Sequence, residues 1–186
     1  MSRRRKSLPV YLTPAESERL LAAARGPRDR CLFAVMLLAG LRSAEACALR
    51  IERIDLARGE LLVFRGKGGR DRLLPISARL APLLRQQIGT RTQGYLFPGR
   101  KPDLPLSTRA VRHAVKTAAR RAGITRPAGS PDISPHKLRH SFACRLVEKN
   151  VPLDAIRDLL GHSSLQVTSV YLHTNLDRLR AGVDLL

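Results

Sequence analysis

From Cys31 to Ala39 the chain reads Cys-Leu-Phe-Ala-Val-Met-Leu-Leu-Ala, nine positions without a polar side chain. A helix running from Arg28 to Leu41 is therefore apolar nearly all round and has no face to offer water. It has to be a buried central element, with the rest of the chain packed around it. The run is far shorter than the ~20 apolar residues that span a bilayer. With 186 residues there is enough chain for one well-buried domain and too little for two large ones. Aromatic residues make up only 4% and Trp is absent, so Leu, Ala, Val and Ile must fill the core, a composition that favours helices.

The flanking sequence predicts mostly helices. Thr13-Pro14-Ala15-Glu16 is a capping box with Pro at the first helical position, and Gly26-Pro27 ends that helix. Gly40 closes the apolar run, and Arg42 to Leu49 reads as a short helix. The period then changes. Ile51, Ile54 and Leu56, then Leu61 to Phe64, then Leu73 to Ile76, read as three short strands separated by turns at Arg58-Gly59 and Gly66 to Gly69, a small antiparallel sheet. Further helices are expected from about Leu80 to Ile88, from Ser107 to Ala122, from Ser134-Pro135 to about Lys149 and from Pro152 to Gly161. Another is expected behind the capping box Ser163-Ser164-Leu165-Gln166, through Tyr171. The fold class is mainly α with one small three-stranded antiparallel β-sheet.

Charge narrows the partners. There are 34 basic residues against 15 acidic ones, a net +19, and most of the excess is Arg. Guanidinium groups bind phosphate oxygens through forked hydrogen bonds, so nucleic acid is the first expected partner. On the helix after Ser107, Val111, Ala114, Val115 and Ala118 face inward while Arg109, Arg112, Lys116 and Arg120 form a basic stripe for DNA. The hairpin arginines Arg70 and Arg72 are expected to join it. The start, Met-Ser-Arg-Arg-Arg-Lys, lacks the apolar stretch of a secretory signal. Cys31, Cys47 and Cys144 are odd in number and widely spaced, so they read as reduced core thiols in a cytoplasmic protein rather than a disulfide frame or zinc site.

Three short patterns carry chemistry: Gly40-Leu41-Arg42-Ser43-Ala44-Glu45, His136-Lys137-Leu138-Arg139-His140, and Leu160-Gly161-His162 followed by Tyr171. His136, Arg139 and His140 fall at i, i+3 and i+4 in the first turn of a helix, where backbone N–H groups and the dipole favour a phosphate. His136 and His140 also have zinc-ligand spacing, but no acidic residue flanks them and Arg139 lies between them, which disfavours a dication. The expectation is an anion cradle with neither metal nor other cofactor.

In this order and spacing, the three patterns resemble the tyrosine recombinase (phage integrase) family, Xer-type members included, over nearly the whole chain. The resemblance implies that family's DNA breaking-rejoining catalytic-domain fold. It gives Arg42 as the first catalytic arginine, Glu45 as the acidic partner of its motif, and Lys67 in Gly66-Lys67-Gly68 as the β-hairpin lysine. His136 and Arg139 match the His-x-x-Arg pair, His162 the late His/Trp position and Tyr171 the nucleophile, with His140 in a supporting place.

Such a set of residues accounts for phosphodiester cutting and rejoining. Tyr171 attacks the scissile phosphate to give a 3′-phosphotyrosine and a free 5′-hydroxyl, and a second hydroxyl reverses the step, so no ATP is needed. Arg42, Arg139 and His162 stabilise the phosphoryl oxygens, Lys67 protonates the leaving 5′-oxygen, and His136 handles the tyrosine proton. Glu45 orients Arg42 or His136.

The leading expectation is a site-specific recombinase acting on double-stranded DNA and self-associating there as a tetrameric synapse of two sites. A type IB topoisomerase-like nicking-closing enzyme and a non-cutting DNA-binding regulator remain open beside it. The expected organisation is a basic arm over 1–11, a catalytic domain over 12–175 and a C-terminal segment over 176–186. In the family that segment packs on a neighbouring protomer, and here it carries Leu176, Leu179 and Val183 as an apolar stripe. Only about a dozen residues precede the first helix, where most family members carry a separate helical domain. The chain therefore reads as an excised domain, or as a short protein resembling the fimbrial phase-switching recombinases.

Overall fold

The structure, a computed structural model, describes residues 11–64, 71–125 and 132–162. Its elements in chain order are α1 (Pro14–Ala22), α2 (Pro27–Leu38), α3 (Ser43–Cys47), a single 3-10 turn (Ile51–Arg53), β1 (Ile54–Asp55), β2 (Glu60–Val63), β3 (Arg72–Pro75), α4 (Ala81–Ile88), α5 (Thr108–Arg121), α6 (Pro135–Glu148) and α7 (Leu153–Leu160). Among the described residues the molecule is mainly helical with one antiparallel sheet in the order β1-β2-β3, as expected.

Helix α2 lies at the centre. Cys31 to Met36 are fully buried and Leu37 nearly so, and the helix packs on α1, α3, α4, α5 and α6. Each large apolar side chain buried here contributes about 1.5–3 kcal/mol. The apolar run thus dictates the fold's centre, although the helix is shifted from its expected bounds. Pro27 starts it, because proline costs nothing in a first turn whose N–H groups are unpaired anyway. It ends at Leu38, because Gly40 turns the chain away at φ +65°.

Gly40 is required on two counts. Its backbone is left-handed, and a Cβ there would stand 2.5 Å from the ring of Phe142 on α6. This close approach of α6 brings the α2–α3 turn against the helix that carries Arg139. Arg42 is the N-cap of α3 and not part of the helix, and Ile51 belongs to the 3-10 turn and not to the first strand.

The start of the described chain is pinned along α6. Leu12 N–H donates to Ser141 Oγ (2.8 Å) and the Tyr11 hydroxyl to the Glu148 carboxylate (2.6 Å). The α1 capping box forms as expected, with Glu16 N–H on Thr13 Oγ1 and Thr13 N–H on the Glu16 carboxylate. Pro82 sits in the first turn of α4, and Ser107 Oγ caps α5 by accepting from Ala110 N–H. At the end of α7, Gly161 adopts φ +60° and forms the left-handed cap that ends the helix before His162. The helix expected through Tyr171, the segment 176–186 and residues 1–10 of the basic arm lie outside the described residues.

Candidate active site

Three elements converge on one carboxylate: α3 with its cap, β3 and α6. Glu45, in the first turn of α3, is largely buried, and its oxygens accept from two arginines and one amide. Oε2 takes the Arg42 backbone N–H (2.7 Å) and Oε1 takes Arg42 Nη1 (2.9 Å), closing a capping box in which the cap residue is itself an arginine. From β3, Arg72 reaches both oxygens in a fork, Nη1 to Oε1 and Nη2 to Oε2, each at 2.9 Å. From α6, Arg139 Nη1 stands 3.6 Å from Oε2.

Burial alone would raise the Glu45 pKa. The Arg72 bonds, the Arg42 amide and the charges of Arg72 and Arg139 outweigh it and hold the carboxyl at about 2. Glu45 is therefore a fixed anion that organises cations and has no proton to exchange near neutrality.

Arg139 is 3% exposed. Its Nη1 donates to the Gly40 carbonyl and its Nη2 to the Leu160 carbonyl, both at 2.6 Å. One guanidinium so joins the turn that delivers Arg42 to the turn that delivers His162, whose own N–H donates to Arg157 O (3.0 Å). Arg42 is about a third exposed and Arg139 buried, so the cluster opens to solvent on the Arg42 side.

One turn before Arg139, His136 remains exposed at the start of α6. Partial desolvation, then the charges of Arg139, Lys137 and Arg42, lower its pKa from the ordinary histidine value. The ring is neutral at physiological pH and able to accept a proton.

Position 140 departs from expectation. His140 is buried, its Nε2 lies 3.7 Å from Cys144 Sγ, and its ring meets Tyr11 edge-on at 6.4 Å. It packs α6 against the start of the chain, so the expected face of two histidines and an arginine divides: one histidine outward, one inward.

Burial, then the Lys137 and His136 charges, lower the His140 pKa to about 4. The unfolded chain binds this proton near pH ~6.5 and the folded one only near 4, so stability is complete above the higher value and is lost as the pH falls through that window. Urea denaturation at pH 7 and pH 4.5 should show a loss of about 2 kcal/mol, and His140→Gln should flatten most of it. An equal loss in the variant would assign the proton elsewhere.

Arg72 requires a correction. Expected beside Arg70 as a DNA contact, it is 8% exposed, forks onto Glu45 and donates Nε to the Leu159 carbonyl (3.0 Å). The strand's alternation accounts for it: Arg72 and Leu74 are buried while Leu73 and Pro75 face out. The apolar Leu74 already marked the inward face, and Arg72 is two residues away on it.

Arg109, Arg112, Lys116 and Arg120 are all exposed along α5, with Lys116 bonded to Asp132 at 2.7 Å. Lys67, Arg70 and Tyr171 lie outside the described residues. Among those described, no group of three or more His, Cys, Asp or Glu side chains is placed to hold a metal ion.

Comparison with known proteins shows the family. Residues 10–178 match the sequence model of the phage integrase family. The tyrosine recombinase XerA of Thermococcus kodakarensis is 40% identical over 181 residues, covering 94% of this chain and 62% of the relative. XerC of Halalkalibacterium halodurans is 36% identical over 191 residues, covering 94% and 61%. The chain thus spans about three-fifths of the length of these curated relatives.

The crystal structure of XerA recombinase superposes with a TM-score of 0.81 at 28% identity, over 94% of this chain and 64% of that one. The XerH site-specific recombinase bound to its palindromic difH substrate superposes with 0.74 at 27%, over 95% and 53%. The fold is that of tyrosine recombinase catalytic domains. With a family model matching residues 10–178, relatives 36–40% identical over most of the chain and a shared fold, the chain belongs to the phage integrase family.

Proposed function

We propose that this chain is the catalytic part of a site-specific DNA recombinase that cuts and rejoins double-stranded DNA through Tyr171, without metal or ATP. The observation that carries the reading is the joining of Arg42 and Arg139 around one fixed carboxylate, beside a neutral His136. Tyr171 attacks phosphorus and passes its proton to His136. A 3′-phosphotyrosine bond forms as the bond to the 5′-oxygen breaks, and Lys67 supplies the proton that oxygen needs. Arg42, Arg139 and His162 bind the non-bridging oxygens, on which charge accumulates in the transition state.

The proposed organisation is a basic arm over 1–11, a catalytic unit over 12–175 and a C-terminal segment over 176–186 that docks on a neighbouring protomer. Two DNA sites are then held in a tetrameric synapse. A cytoplasmic, nucleoid-associated location follows from this activity; among the described residues no helix is long and apolar enough to cross a membrane.

The direct test is covalent capture. Incubating the chain with a library of nicked duplexes of random sequence in excess EDTA should yield a protein–DNA adduct that survives denaturation. A requirement for added magnesium or zinc would overturn the metal-free reading. Recombination that needs two copies of the captured site separates strand exchange from nicking and closing. Adduct with no such need would favour a topoisomerase-like activity.

The α5 stripe supports DNA binding through the phosphate backbone. Since each neutralised phosphate contributes about 0.9 to the slope of log affinity against log salt, Arg109→Ala with Arg112→Ala should flatten that slope by about one to two units. Lys116, held by Asp132, should contribute less. An unchanged slope would leave the stripe as solvated surface.

A further inference from the structure

Arg72 is more than a buried ion-pair partner. An ionised carboxylate offers about four acceptor positions. At Glu45 they are taken by the Arg42 amide, Arg42 Nη1, and Arg72 Nη1 and Nη2. Arg139 Nη1 stands 3.6 Å from the same carboxylate, beyond hydrogen-bond reach, and is held on the Gly40 carbonyl instead. The third Arg72 nitrogen, Nε, fixes Leu159 O, next to the Leu160 carbonyl that holds Arg139 Nη2. The turn beyond is fitted to Arg72 as well, since a Cβ on Gly161 would lie 3.1 Å from its Cδ and Nη1.

We infer that Arg72 is a positioning residue for strand cleavage: by saturating the Glu45 carboxylate and pinning the end of α7, it keeps Arg139 from collapsing onto Glu45 and so keeps that guanidinium for the scissile phosphate. Charge balance points the same way. Among the described residues, three guanidiniums against one carboxylate leave two positive charges in the cluster, which suits a phosphodiester gaining a second negative charge in its transition state. Without Arg72 one positive charge remains among these groups, and each Glu45 oxygen loses a donor, Oε2 being the one that Arg139 Nη1 stands 3.6 Å from. Arg72→Lys keeps the charge but cannot reach both Glu45 oxygens and Leu159 O together.

The inference rests on the cleavage reading above, and its test separates the two. Adduct formation is timed on a nicked duplex of captured sequence carrying either an ordinary scissile phosphate or a methylphosphonate, in which one charged non-bridging oxygen is replaced by methyl. The ordinary phosphate needs both guanidiniums, while the neutral diester needs less positive charge. On the ordinary phosphate Arg72→Gln should be slowed by about 100-fold and Arg72→Lys by less. On the methylphosphonate both should come within about threefold of the unaltered chain, as should Arg139→Ala. Lys67→Ala, which affects only the leaving group, should keep its deficit on both substrates.

An equal deficit of the Arg72 variants on both substrates, after correction for the folded fraction from thermal melts, would reduce Arg72 to a structural role and overturn the inference. No deficit on the ordinary phosphate would overturn it too. If Arg139→Ala cleaves the ordinary phosphate normally, the cleavage assignment itself fails, and the inference with it.

Discussion

With Tyr171→Phe, covalent adduct formation is expected to fall to background while DNA affinity and folding stay close to those of the unaltered chain. The change removes one oxygen and keeps the ring, so the attacking atom alone is lost. The other two tyrosines make poor substitutes. The Tyr11 hydroxyl is committed to Glu148, and that bond, burial and the nearby carboxylate push its pKa up to about 12. Tyr95 lies beneath the Arg50 guanidinium, 5.1 Å from the ring centre.

Arg139→Lys should give a different result. A lysine keeps the positive charge but cannot bond the Gly40 and Leu160 carbonyls together, so cleavage should slow by about 100-fold or more while residual adduct still maps to Tyr171. Denaturing gels and peptide mapping of the trapped adduct measure both variants. Wild-type adduct levels in Tyr171→Phe, or a linked peptide containing Tyr11 or Tyr95, would remove Tyr171 from its role.

Glu45→Gln should have the largest effect on stability. It leaves Arg72 and Arg139 buried without their counter-ion, a situation that costs about 3–5 kcal/mol. The lowered pKa of Glu45 gives a similar magnitude by a separate route. A carboxyl that titrates near 4.5 when unfolded and at about 2 when folded contributes about 3 kcal/mol of stability. That contribution is complete above the unfolded value and is lost as the pH falls from about 4.5 towards 2. The unaltered chain should therefore lose stability in two acid steps, His140 first and Glu45 below it, and Glu45→Gln should lack only the second. Chemical denaturation across pH 2 to 7 resolves them; a second step retained in Glu45→Gln would place that proton on another carboxyl.

Much of this architecture was legible in local chemistry. The Cys31–Ala39 run fixed the central helix because only burial satisfies it. The capping box at Thr13 and the glycine at 161 marked helix ends through hydrogen bonds that depend on a few neighbouring residues. Glu45 and Arg42 were readable as a pair because three residues separate them on one turn.

What spacing could not give was direction across the fold. His136 and His140 sit a turn apart, yet the docking of Tyr11 onto α6 takes one ring inward. Arg72 was hidden by the charge of its hairpin: surrounded by Arg65 and Arg70, it read as surface. Its partner Glu45 is 27 residues away in sequence, too distant for local rules to connect. Only the alternation with Leu74 pointed to its side of the sheet.

The three cysteines have a practical consequence of a different kind. Burial pushes Cys31 up to about 12 and Cys47 to about 11; for Cys144 burial and the Glu148 charge give about 12. A thiol in that range at pH 8 is thiolate about one part in a thousand or less, and maleimides and iodoacetamides react with the thiolate. The native thiols, buried and largely protonated, should therefore react slowly with alkylating dyes. A single cysteine introduced at an exposed position off the α5 stripe, at Gln86 on α4 for example, should be labelled far faster, and a fluorophore there could follow the protein on DNA with all three native thiols in place.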